Sequence, residues 1–357
     1  MREWLNSRLR FLKGAMALLI LVCLLPRSGA MAGPLSIGVI EYNAKASQGG
    51  WSMTGDPPPF PLQIELIANK IKDKSNPSPV QFVALVQAGN GGTQGCVDKS
   101  GRPNDFLISC ALDRKGLKGW NTIISVCDYD QTQLAYSSEW KLVKSLVDDY
   151  QKDVCWTAKS QGRPYNIAYF QNSSSKEMLL FVIVHMPHGY PDDCQSQSCP
   201  YGGGKFAWNV PQLKEDVRKV VGPTVDLRNV RLLIAGDMND LGNDADPKRF
   251  APIFDDFGDV KISKQSRTPP DPTCCADNGY STFFDRIVTN GAVEPGYEVV
   301  YLTTGNRLTT YYPLNKLKSI PNKKDPSRPR RNEEHKATYG VAKFNYSVFE
   351  RSGNRFA

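Results

Sequence analysis

Leu232, Leu233, Ile234 and Ala235 form a short apolar run that Gly236 breaks, with Asp237 and Asn239 following at once. Such a run, stopped by glycine, predicts a buried strand that delivers its last residues to the end of a sheet. A strand apolar at every position must be covered on both faces, so the chain has to supply layers above and below it. Two oxygen-bearing side chains two residues apart point to the same side. That placement suits hard oxygen ligation of a divalent ion or hydrogen bonding to a phosphate-like group. The alternative is an Asx-rich turn after a structural strand.

Other stretches supply the layers. Leu35 to Tyr42 predicts a strand ending at Asn43, and Val80 to Gln87 a second. Pro164 to Phe170 and Met178 to Val184 predict consecutive strands around the polar turn Asn172 to Ser175. Phe283 to Thr289, Tyr297 to Thr303 and Gly340 to Phe349 complete the set. Helical spacing appears at Leu62 to Ile71 behind Pro61, at Ser138 to Tyr150 behind a serine cap, and at Pro211 to Val221. A short helix is expected around Phe250 to Phe254. Residues 96–135 predict loop with one strand near Asn121 to Cys127. Many strands succeed one another without a helix between them, which suits two mixed sheets packed face to face with helices outside.

The amino terminus reads as a processing signal. Arg2, Arg8, Arg10 and Lys13 precede the apolar run Ala15 to Leu25, too short to span a bilayer comfortably, and small residues follow at Ala30 and Ala32. Residues 1–32 are therefore expected to be a signal peptide, and 33–357 a single domain with no transmembrane span after cleavage. Five basic residues and one acid leave with the signal, so the formal charge drops from +8 to about +4. Net charge alone then does not argue for nucleic acid. Outside the signal, which holds Cys23, stand Cys96, Cys110, Cys127, Cys155, Cys194, Cys199, Cys274 and Cys275. In a secreted chain these predict up to four disulfides. Cys194 and Cys199 are the closest-spaced candidates for a pair, and the vicinal Cys274 and Cys275 are expected to bond elsewhere. No CxxC occurs, which argues against structural zinc. Asn172 and Asn345 open glycosylation sequons.

The chain has three histidines. His185 directly follows an apolar strand, His188 lies three residues on, and His335 precedes the last strand. Two histidines at strand ends, with Gly-Asp-x-Asn at another, suggest a shared catalytic rim.

The order of these motifs resembles the endonuclease/exonuclease/phosphatase superfamily, of the deoxyribonuclease I-like type. The resemblance lies in Asn43 ending the first strand, Arg163 in Gly162-Arg163-Pro164-Tyr165, His185 after Val184, Gly236-Asp237-Met238-Asn239, Asp285-Arg286-Ile287-Val288, and Glu333-Glu334-His335. It spans about residues 34–350. It implies an α/β, four-layer sandwich of two mixed β-sheets flanked by helices, and a secreted, monomeric, divalent-metal-dependent phosphodiesterase, with a nuclease as the leading reading. The alternatives are a phospholipid or inositol-phosphate phosphoesterase of the same fold, and a weakened member acting as a binding protein. By that resemblance His335 accepts the proton of the attacking water and His185 stands near the leaving oxygen. Asp237 and Asn239 hold nucleophile, phosphate or metal, Asp285 orients a histidine, and Arg163 binds phosphate. Asn43 and Glu334 would ligate Mg2+, or Mn2+ or Ca2+. Calcineurin-like phosphoesterases also use Gly-Asp motifs, but they need histidine motifs that this chain lacks.

Two departures stand out. The second core strand ends Gln87-Ala88, where the resemblance expects a metal-binding glutamate after glutamine, and Glu334 replaces an aspartate. Period-two alternation puts Glu41 on the face of Asn43, so Glu41 is a candidate substitute metal ligand; the alternative is pairing with a buried basic side chain. A basic loop at residues 315–336 suits a polyanion, whether nucleic acid, phosphoinositide or phospholipid, or is a solvated surface.

Overall fold

The structure is a computed structural model, and it describes residues 34–44, 59–88, 96–97, 107–128, 130–147, 150–151, 154–156, 162–187, 205–239, 255–258, 260–262, 285–299, 302–304, 307–309 and 337–344. His188, Glu334, His335, the basic loop, Asn345 and the last four cysteines lie outside them.

A seven-stranded sheet has the order β12-β15-β1-β2-β4-β3-β6. Its strands are β12 (Ala292–Val299), β15 (Thr338–Phe344), β1 (Leu35–Asn43), β2 (Val80–Val86), β4 (Asp130–Ser137), β3 (Trp120–Cys127) and β6 (Tyr150–Gln151). A six-stranded sheet has the order β10-β11-β9-β8-β7-β5. It comprises β10 (Lys261–Ile262), β11 (Asp285–Thr289), β9 (Leu232–Asp237), β8 (Met178–His185), β7 (Tyr165–Asn172) and β5 (Trp140–Ser145). A separate hairpin joins β13 (Leu302–Thr304) to β14 (Arg307–Thr309). The helices are α1 (Pro59–Lys72), α2 (Ile108–Arg114) and α3 (Lys205–Val221). No described helix is long and apolar enough to cross a membrane.

Three apolar layers make this a four-layer sandwich. Between the sheets lie Ile37, Val39, Phe82, Phe181, Leu233 and Ile287. Phe82 anchors this layer, with ring centroids 5.2 Å from Phe170 and 5.0 Å from Phe181. Ile40, Tyr42, Val83 and Leu85 face the other way, onto Ile64 and Ile67 of α1 and Leu112 of α2. Leu180, Val182 and Ile234 face Leu213 and Val217 of α3. The alternation that the sequence showed in each strand is thus the alternation between two cores.

The expected helix at 138–150 is instead the edge strand β5. Trp140 and Leu142 pack into the inter-sheet layer, and a bulge between Leu142 and Lys144 resets the phase. That bulge gave a short strand an apparent helical spacing. Trp140 donates Nε1 to Gln81 Oε1 at 3.0 Å, which ties the edge to the opposite sheet. The stretch 96–135 holds α2 and β4 besides the expected strand. Gln133 Oε1 accepts from Ile108 N at 2.9 Å, so a distant side chain satisfies the start of α2. The helix expected from Pro211 begins at Lys205, with Pro211 inside it. The short helix expected around Phe250 to Phe254 falls outside the described residues, and a 3₁₀ turn follows at Asp255–Phe257. The sequon Asn172 is nearly buried, its Oδ1 accepting from Ser174 N and Ser175 N in the β7–β8 turn.

Two disulfides join described cysteines, Cys96–Cys110 and Cys127–Cys155.

Candidate active site

One end of the sandwich collects the chemistry-bearing residues, because strand direction and side-chain alternation agree there. In β1 the inward residues Ile37 and Val39 continue to Glu41 and Asn43. In β8, Leu179, Phe181 and Ile183 continue to His185, and in β9 Leu233 and Ala235 continue to Asp237. β8 and β9 are parallel, with His185 opposite Asp237. β11 runs against β9 and so begins where β9 ends, with Asp285 opposite Asp237. β15 does the same beside β1, placing Thr338 opposite Glu41. Leu134 faces inward on β4, and the same alternation brings Asp130 to the rim. Glu41, Asn43, Asp130, His185, Asp237 and Asp285 are all buried.

Gly236 is required for this register. Its φ is +144°, and a Cβ there would lie 1.9 Å from the carbonyl oxygen of Val184. Only glycine admits that approach of β9 to β8. Asn239 adopts φ +46°, tolerable for asparagine, and its backbone N–H donates to Asp237 Oδ1 at 2.8 Å.

The two sheets meet through hydrogen bonds. Asn43 Nδ2 donates to Asp237 Oδ2 at 2.8 Å. His185 Nδ1 donates to Asp130 Oδ2 at 2.8 Å, and its Nε2 lies 3.6 Å from Asp237 Oδ2. Arg163 Nη1 donates to the same Asp130 oxygen at 3.2 Å. It also stands 3.3 Å from His185 Nδ1; with that nitrogen bearing its proton, this is a contact between two donors and not a hydrogen bond. Burial pushes the His185 pKa below the usual histidine range, and the Arg163 charge adds to the effect against the opposing pull of Asp130 and Asp237. The ring is therefore neutral near pH 7. Asp130 fixes the proton on Nδ1, leaving Nε2 as a lone pair turned toward Asp237.

Glu41 lies beside acids. Its Oε2 accepts from Thr338 Oγ1 at 3.3 Å. Burial, then the charges of Asp285 and Asp237, hold its carboxyl well above the usual carboxylate range. Burial and the neighbouring acids thus favour the protonated form of this carboxyl. Among the described residues no three His, Cys, Asp or Glu side chains form a group able to hold a metal ion. Ala88 is buried and brings no donor to the place where a glutamate was expected. The described residues alone do not fit a Mg2+ centre.

The structure places His185, Asp237, Asn43, Glu41, Asp285 and Arg163 at this one end of the sandwich. It gives some of them other partners. Arg163, expected to bind phosphate, donates to Asp130. Asn239 Nδ2 donates to the Met186 carbonyl at 2.7 Å, bracing the loop after β8. The carboxylate on His185 is Asp130, which the sequence reading did not single out. It opens the polar run Asp130-Gln131-Thr132-Gln133, which carries no apolar alternation to mark a strand. The only local hint is its position three residues after Cys127.

No protein-family model matches the chain, and no curated protein matches it. Solved structures similar to it include proteins described as endonuclease/exonuclease/phosphatase. One is the human Nocturnin catalytic domain with bound sulfate, at 11% identity and TM-score 0.49, covering 88% of this chain and 95% of that one. Another is the endonuclease/exonuclease/phosphatase from Bacteroides vulgatus, at 13% identity and TM-score 0.48, covering 87% and 99%. A third is D. rerio TDP2 complexed with single strand DNA product, at 13% identity and TM-score 0.47, covering 86% and 98%.

Proposed function

We propose that this protein hydrolyses phosphoesters at the rim where the two sheets meet, and that nucleic acid is its first substrate class. The observation that carries the proposal is the chain Asp130–His185–Asp237, with Asn43 linking it to the opposite sheet. Phosphoester hydrolysis needs a group that moves a proton between an oxygen and itself near neutral pH. A neutral imidazole with its proton fixed on Nδ1 offers Nε2 for that transfer. The resulting imidazolium would be stabilised by carboxylates on both sides. Asn43 and the Asn239 backbone N–H hold the two Asp237 oxygens in place, so that its carboxylate cannot rotate away from His185. His335, by the motif resemblance, would serve the attacking water.

A divalent ion belongs to the same resemblance and would have to draw on Glu334 or other groups beyond the residues described above. Secretion is part of the reading as well; the basic, apolar leader and the disulfides support it.

The test is nicking of supercoiled plasmid and hydrolysis of bis-p-nitrophenyl phosphate, each with Mg2+, with Mn2+ and with chelator. Release of inositol phosphate or phosphocholine from vesicles is measured in parallel. Nicking abolished by His185→Ala supports the nuclease reading. Headgroup release without nicking moves the substrate to lipid. Absence of turnover on all of them rejects hydrolysis and leaves a binding protein.

A further inference from the structure

The Cys127–Cys155 disulfide lies at the site, and neither the motifs nor the proposed reaction uses it. Cys127 is the last residue of β3, and its register partner across the β3–β4 turn is Asp130. Cys155 forms an isolated antiparallel bridge with Pro164, next to Arg163. The neighbouring backbone follows the same division. Val154 N donates to Val126 O at 3.0 Å on the seven-stranded side. Trp156 N donates to Arg163 O at 3.3 Å, and Pro164 O accepts from His185 N at 3.3 Å, on the six-stranded side. The Trp156 ring closes the circuit: its Nε1 donates to the His185 carbonyl at 3.0 Å, and it stacks on Tyr165 at 4.1 Å between centroids. One covalent bond therefore joins the strand pair that carries Asp130 to the segment that seats Arg163 and His185.

We propose that Cys127 and Cys155 are positioning residues, and that their disulfide sets the Asp130–His185 hydrogen bond and makes the site sensitive to thiols. The proposal rests on the hydrolase reading for its effect on turnover, but not for its effect on the hydrogen bond. Asp130 and His185 belong to different sheets, so their 2.8 Å separation depends on how the sheets are held at this end. The apolar layer fixes the spacing of the sheets but is non-directional. The disulfide fixes the lateral placement of the two partners. Cys127 is fully buried, whereas Cys155 as a residue is partly exposed, so attack is expected at the Cys155 sulfur. Reduction by a dithiol would proceed in two exchanges. A reagent thiolate bonds to Cys155 Sγ as the Cys127–Cys155 bond breaks, and Cys127 leaves as a thiolate that takes a proton from water. The reagent's second thiolate then attacks the mixed disulfide, closes the reagent disulfide and releases Cys155. Two electrons pass from reagent to protein. The hydrogen bond loses its covalent guide.

The test uses the full chain and reads His185 directly. A proton held between Nδ1 and a carboxylate gives a far-downfield proton resonance. It is assigned to His185 by its absence in Asp130→Asn and His185→Gln. Dithiothreitol is titrated against wild type while mass spectrometry of alkylated thiols follows each disulfide. The expected result is loss of this resonance as the Cys127–Cys155 bond opens, with return on reoxidation. The same loss is expected in Cys127→Ala/Cys155→Ala, with kcat on bis-p-nitrophenyl phosphate lowered about 10²-fold and KM little changed. Cys96→Ala/Cys110→Ala is expected to melt earlier but to keep both resonance and turnover. If the Cys127 and Cys155 variant does not fold, reduction of wild type below its melting temperature decides the question. An unchanged resonance with the bond open overturns the proposal, as does its absence from oxidised wild type. If wild type turns over no phosphoester, the hydrolase reading fails alone, and the resonance still decides the tie.

Discussion

Asp130 and Glu41 show how environment divides labour among buried carboxyls. Asp130 meets three nitrogen donors, from Gln131, Arg163 and His185, while Glu41 meets a hydroxyl and two acids. Asp130→Asn keeps the shape but can turn an amide N–H toward His185 Nδ1. The expected loss is about 10²–10⁴-fold in kcat, checked by steady-state kinetics alongside His185→Ala. Glu41 gives a stability prediction with a definite sign. Its folded pKa is raised above the unfolded value, so its contribution is fully present below the unfolded pKa and is lost as pH rises through the folded pKa. Glu41→Gln imitates the protonated form. Denaturant melts at a series of pH values should therefore show wild type losing stability relative to the variant as pH rises. Equal pH dependence of the two would mean that Glu41 is not held protonated. Glu41 and Asn43 were legible as a pair in the sequence because they continue the phase of Ile37 and Val39. Asp130 was not, because its partner lies 55 positions away and nothing near it marks a strand.

At the scale of the element, strands with uninterrupted alternation were readable, and those with a bulge or a distant partner were not. β8 and β9 followed expectation because both of their faces are apolar. β5 was misread because its bulge breaks the period, and α2 was missed because its start is satisfied from β4. Gly236 belongs to this scale, since it governs the approach of one strand to another. Gly236→Ala should destabilise the protein by about 3–5 kcal/mol, or separate β9 from β8, as a backbone carbonyl cannot yield the space. Thermal melting and hydrogen exchange at Ala235 and Asp237 would report it. Trp140→Ala, which empties the anchor of β5 on Phe82 and Gln81, should cost about 3–5 kcal/mol while leaving His185 in place.

For the whole molecule, three apolar layers carry stability, and the two disulfides between described cysteines add cross-links. Cys96–Cys110 closes 14 positions and Cys127–Cys155 closes 28. Each is expected to contribute about 2–4 kcal/mol through the unfolded chain. Opening both should lower the melting temperature clearly without changing far-ultraviolet dichroism at room temperature; an unchanged melting temperature would assign them no such role. The layered fold was legible because many strands succeed one another with few helices between. The pairing of the cysteines was not, since eight cysteines admit many connectivities and spacing alone does not choose.

The common phase of the rim strands also bears on how this protein could change by insertion and deletion. Glu41, Asp130, His185, Asp237 and Asp285 all stand at even steps from inward-facing apolar residues on their own strands. Losing one residue between Val39 and Asn43 would turn Asn43 toward the helices and remove its hydrogen bond to Asp237 Oδ2. Losing two would shorten the strand but keep its parity. Lineages carrying this fold should therefore tolerate length changes in these strands in pairs, and single-residue changes only beyond the last polar residue of each.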